Sequence, residues 1–128
     1  MTKRIKWNLS VHVEGGPSLS SSEDMDADAV DVVSIKVSKS SSSTVDVQPG
    51  ELNEVQFLCI KSDLYDDVKY KFNDGSTDSA EVILDKDHFL TSGQLVSQFE
   101  VSPNKVKFTN SNATTDANVE VIVARSAT

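Results

Sequence analysis

Apolar residues in this chain recur at every second position through a series of short stretches, and no segment repeats them at the three-to-four spacing of an amphipathic helix. Strand side chains alternate between two faces, so the pattern restricts the chain to sheets that each hide one face. Residues 4–14 are the most regular stretch: Ile5, Trp7, Leu9, Val11 and Val13 share one face, and Lys6, Asn8, Ser10 and His12 the other. Gly15-Gly16-Pro17 ends this strand, because glycine allows positive φ and proline has no N–H to give a ladder. Serine and acid dominate residues 18–28, with only Leu19, Met25 and Ala27 between them, which predicts a mobile acidic loop.

Alternation resumes at Val33, Ile35 and Val37, out of phase with Val30 and Val32, so a bulge near Val32-Val33 is expected. The serines at 40–43 read as a connector and residues 44–47 as a short strand ended by Gln48-Pro49-Gly50. Residues 55–60 are apolar at nearly every position, as in a central strand covered on both faces. Val68, Tyr70 and Phe72 form another alternating strand, closed by the turn signal Asn73-Asp74-Gly75. Further strands are expected at 80–84, around Val106 and Phe108, and at 119–123, with a polar turn over 110–118. Residues 88–99 fit either a helical turn after Gly93 or a broken strand, and are assigned irregular structure with one short strand. The expectation is one all-β domain over residues 1–128, an antiparallel β-sandwich of about eight strands. Strand pairing, which alternation does not reveal, would decide between jelly-roll and immunoglobulin-like topology.

A chain of 128 residues is long enough to bury a core without disulfides or metals. With 20 acidic against 12 basic side chains the net charge is −8, which disfavours nucleic acid as a partner. The single cysteine, Cys59, closes no intrachain disulfide and sits in an apolar run, so it is expected as core filler in a protein made in a reducing cytoplasm. No apolar run approaches the roughly 20 residues that span a bilayer.

Asp24, Asp26 and Asp28 are the best candidates for a cation, because alternate carboxylates can converge on calcium. The spacing is not that of an EF-hand: counted from Asp24, the glycine position holds Ala29 and the closing glutamate position Ile35. The plain reading is a solvated acidic segment without metal or cofactor. His12 and His88 lie outside any HExxH, GxSxG or CxxC context, and no glycine-rich phosphate loop is present, so no catalytic residue is assigned. Trp7 reads as a core residue, or else as an exposed binding aromatic.

The phrases Val45-Asp-Val-Gln-Pro-Gly50, Val68-Lys-Tyr-Lys-Phe-Asn-Asp-Gly75, Val106-Lys-Phe-Thr-Asn110 and Val119-Glu-Val-Ile-Val-Ala-Arg125 resemble small, cysteine-poor virion structural proteins of tailed bacteriophages. The resemblance spans residues 44–125. It implies a non-enzymatic capsid decoration or cement protein in many copies on a phage head, made in the host cytoplasm and localised to the virion. Its partners would be capsid or other virion proteins and further copies of itself, a trimer being one possibility. Leu9 and Val11 in the first strand, and Val119, Val121 and Val123 in the last, are expected at the interface because each strand adjoins an end of the sequence. A carbohydrate- or protein-binding sandwich is the alternative, and a small β hydrolase a third reading.

Overall fold

The computed structural model describes residues 3–47 and 55–125. Strands β1 (Lys3–His12) and β2 (Ser18–Ala27) form a separate two-stranded hairpin. After it come β3 (Ala29–Val37), β4 (Ser41–Asp46), β5 (Val55–Ser62), β6 (Val68–Asn73), β7 (Val82–Ile83), β8 (His88–Leu90), the short helix α1 (Gly93–Ser97), β9 (Lys105–Asn110) and β10 (Ala117–Arg125). The eight strands from β3 onward make two four-stranded sheets, ordered β3-β10-β5-β8 and β4-β9-β6-β7. The pairing is nested and antiparallel throughout: β3 with β10, β4 with β9, β5 with β8 and β6 with β7. A long ribbon folded back on itself and wound into two facing sheets is the jelly-roll topology, one of the two expected.

Between the sheets the inner faces interlock. Cross-strand rows such as Val33-Val121-Ile60 in one sheet meet Val45-Val106-Phe72 in the other. Tyr70, Phe72, Phe108, Leu58 and Ile60 are fully buried, and the Phe72 and Phe99 rings stack at 4.2 Å. Each such side chain contributes about 1.5–3 kcal/mol by leaving water, so this layer dominates the stability of the fold.

Several expectations need correction. Residues 18–28 are no loop: β2 pairs with β1 at ten consecutive positions, so the partner strand supplies the order that serine and acid conceal. β3 pairs with β10 without a bulge at Val32-Val33; Val32 simply points to the opposite face from Val33. The register shift lies at Ala124/Arg125 against β5 and returns Val55 to the inner core. The serine connector is the first half of β4, where Ser42 and Thr109 hydroxyls meet at 3.2 Å. Both readings of residues 88–99 hold in part, as β8 and then α1, whose cap is the Ser92 hydroxyl accepting from Leu95 N–H. The Gln48-Pro49-Gly50 turn lies outside the described residues.

Surface carboxylates pin the loops. Asp63 accepts from the backbone and side-chain N–H of Asn118, Asp74 from Ser76 and Thr77 N–H, and Asp78 from the Asn73 amide. Asp85 accepts from His88, and Asp116 accepts from Lys39 N–H while pairing with Lys36. These bonds hold all five acids below the usual carboxylate range. A carboxylate whose folded pKa is depressed stabilises the fold above its unfolded value and loses that contribution as pH falls through the folded one. Thermal stability is therefore expected to be flat near neutrality and to decline below about pH 4; a melting temperature unchanged from pH 6 to pH 2 would contradict this.

Candidate docking surface

The hairpin is an arm lying against the outer face of the β3-β10-β5-β8 sheet. One residue, Asp28, joins it to β3, and Asp28 N–H donates to the Arg125 carbonyl at 2.9 Å, so the root is held to β10. The odd-numbered side chains of β1 face inward. At the root, Ile5, Trp7 and Met25 pack against Ala27, Phe57 and Ala124 in a second, smaller core. This answers the reading of residues 55–60 as covered on both faces: Leu58 and Ile60 face the opposite sheet, and Phe57 faces the arm.

The same face continues past the point where the sheet supports it. Leu9, Val11 and Val13 follow Trp7 at the same period, and Leu19 stands opposite Val11 on β2. All are exposed, Val11 at 48% and Leu19 at 65%. The sheet beneath explains the change. Its outer face carries a row Val30-Ala124-Phe57 under the root and then Val32-Ile122-Cys59-Phe89, but the next row, Ser34-Glu120-Lys61, is polar. Apolar lining stops while the arm's apolar stripe goes on.

Between arm and sheet opens a cleft of about 670 Å³. Trp7 and Leu9 form its roof, Phe57, Cys59 and Phe89 its floor, and Leu95 of α1 one wall. A β-carbon at Gly93 would lie 3.1 Å from the Val55 carbonyl oxygen, so glycine is what lets α1 come this close to β5. The Trp7 indole N–H is buried without an acceptor among the described residues, at a cost of about 1–3 kcal/mol. Burial, followed by the Asp87 carboxylate, pushes the Cys59 thiol up, which favours the thiol over the nucleophilic thiolate.

The residues singled out in the sequence separate clearly. Leu9 and Val11 are on the arm and open to a partner. Val119, Val121 and Val123 are not: β10 is an interior strand between β3 and β5, and these three side chains are buried in the main core. Nearness to the end of the sequence misled, because nested pairing brings the last strand to the middle of a sheet. Asp24 and Asp26 lie on the arm's outer face about 7 Å apart, opposite Lys6 and Arg4 respectively, with Arg4 Nε 3.4 Å from Asp26 Oδ1. Asp28 follows β2 in the link to β3. Among the described residues no group of three acidic, histidine or cysteine side chains is placed to hold a metal ion.

One polar cluster lies apart from the cleft floor. His88 Nδ1 is 2.8 Å from the Tyr70 hydroxyl and Nε2 is 3.0 Å from Asp85 Oδ1, while the Tyr65 hydroxyl donates to Asp87. Burial and then the Asp85 charge push the Tyr70 hydroxyl up to about 12. Both imidazole nitrogens are engaged, and the cluster ties β8 to β6. His12, as expected, is on the exposed face, its Nδ1 2.6 Å from the Ser18 hydroxyl across the hairpin. Comparison with protein-family models, curated proteins and solved structures finds no match to this chain.

Proposed function

We propose that the protein is a non-enzymatic assembly protein that attaches to a many-copy shell through its arm, as a decoration or cement protein of a phage head would. The observation that carries this reading is the overhanging apolar stripe of the arm. Exposed apolar side chains are ordinary when scattered, but a contiguous row continuous with a packed core marks a contact surface. The jelly-roll winding supports the reading, since that architecture is used in capsid proteins, although a fold by itself names no function. On a head, the arm's partners would be neighbouring copies of this chain or the capsid protein.

The test is immunogold electron microscopy, using antibodies against this chain on virus particles purified from lysates of cells that produce it. Gold on particle heads is the expected result; unlabelled particles alongside abundant free protein would refute the reading.

The binding-module alternative rests on the cleft, where Trp7 and Phe89 present aromatic surface, and on the use of jelly rolls by lectins. Sugars need several convergent hydrogen-bonding groups, whereas the cleft is lined chiefly by apolar side chains, with Lys6, Asn8 and Thr91 as its polar members. A titration with mono- and oligosaccharides, followed by emission of the only tryptophan, is accordingly expected to show no shift.

A further inference from the structure

The arm and the cleft form a knob and a hole on the same side of one molecule. The knob is the stripe of Leu9, Val11, Val13 and Leu19; the hole is the cleft floored by Phe89 and walled by Leu95. From their fractional exposures, these six side chains leave on the order of 500 Å² open to water, toward the upper end of the largest patch on an ordinary monomer. That is most of one partner's share, roughly 800 Å², of a standard interface.

Charge indicates what covers it. One residue in four of this chain is charged, yet residues 7–22, which include the whole overhang, carry one formal charge, Glu14. At the root, Lys3, Arg4 and Lys6 of β1 face Asp26, Asp24 and Glu23 of β2 within a residue of register, so the arm's charges are balanced internally. A nucleic acid, a lipid headgroup or a strongly charged protein would be met by a charged surface. Depletion of charge with enrichment of aliphatic and aromatic side chains is the composition of an interface core. It is also what allows two bodies of −8 each to touch, because their repelling charges stay away from the contact.

We infer that a second copy of this chain occupies the cleft, laying the overhang of its arm across Trp7, Phe89 and Leu95 while receiving the first copy's arm in return. The exchange covers both apolar surfaces at once, and a patch that meets itself in this way is what two-fold symmetry requires. Made in one direction only and passed head to tail round a ring, the arm-in-cleft contact would instead close in a trimer. This inference rests on the assembly reading above and assigns the arm's overhang to a second copy rather than to the capsid protein; it is tested separately.

The experiment is sedimentation velocity of the full chain from about 1 µM to about 1 mM, with Trp7 emission recorded across the same series. The expected result is conversion from monomer to a dimer or trimer, accompanied by a blue shift of Trp7 as the cleft loses water. Val11→Lys, at a site already exposed, is expected to weaken association at least tenfold with an unchanged circular dichroism spectrum. Ile83→Lys, an exposed apolar site on the other sheet, is expected to leave association intact. Raising salt from about 50 mM to about 500 mM screens the repulsion between like-charged bodies and is expected to tighten association. A chain monomeric throughout, association insensitive to Val11→Lys, or association lost with Ile83→Lys would each overturn the inference. Gold-labelled heads with a monomeric chain would reject self-pairing alone; a cleft-mediated dimer absent from particles would reject the virion reading alone.

Discussion

Val121→Lys is expected to abolish the folded state, although Val11→Lys, the same exchange in another alternating strand, is expected to change stability by no more than about 0.5 kcal/mol. Val121 is 1% exposed and stands between Val33 and Ile60 in the middle of its sheet. A lysine there must either bury an unpaired ammonium or part the two sheets so that its end reaches water. Either route costs several kcal/mol, a large share of the about 5–15 kcal/mol that holds a domain of this kind. Urea titration followed by near-ultraviolet circular dichroism would measure both variants. A cooperative transition for Val121→Lys close to that of the parent would mean that β10 is not the interior strand described here.

Asn110→Ala is expected to produce the largest loss from a single polar side chain, about 2–4 kcal/mol. Asn110 is 1% exposed at the end of β9, and its amide is fully employed. Nδ2 donates to the Val37 carbonyl at 3.2 Å and to the Thr115 carbonyl at 2.9 Å, while Oδ1 accepts from Asn112 N–H at 3.0 Å. One side chain thus joins the end of β3 in one sheet to β9 in the other and orders the loop that leads into β10. Alanine takes the donor from the buried Val37 carbonyl and frees the part-buried Thr115 carbonyl and Asn112 N–H. Asn110→Asp should be no better, since a carboxylate cannot donate to either carbonyl. Guanidinium unfolding of both variants would test this; a loss below about 1 kcal/mol for alanine would show that water replaces the amide freely.

The sequence reading succeeded where one face of a strand is buried and the other wet. β6 and β9 were legible from Val68-Tyr70-Phe72 and Val106-Phe108 because burial imposes the period directly, and β1 from Ile5-Trp7-Leu9, a stripe covered in part at the root and exposed beyond it. It failed at β2 and the start of β4, whose serines and acids alternate with little else; their order comes from a partner strand, and propensity carries no record of the partner. Of the arm's exposed stripe, Leu9 and Val11 were legible as apolar residues near one end of the sequence, whereas Val119, Val121 and Val123, selected by the same argument, are buried in the main core. Alternation tells which residues share a face and not whether a second layer covers it. The cleft combines β1 with β5, β8 and α1, a long-range juxtaposition that depends on the jelly-roll winding and leaves no local trace. The near-continuous apolar run of β5 was the one hint, since it demanded a cover on its outer side.

The root of the arm gathers both ends of the described chain: Lys3 stands opposite Ala27, and Arg125 accepts a hydrogen bond from Asp28 next to it. A short linker could therefore close the chain into a circle with little distortion, and reopening it between Gly15 and Gly16 would keep every strand pair while placing new termini at the arm's tip. A passenger domain joined next to Lys3 or Arg125 would start beside the root and away from the stripe; one joined at Gly15 or Gly16 would stand in front of it. The molecule thus offers two display positions, one expected to permit assembly and one to block it.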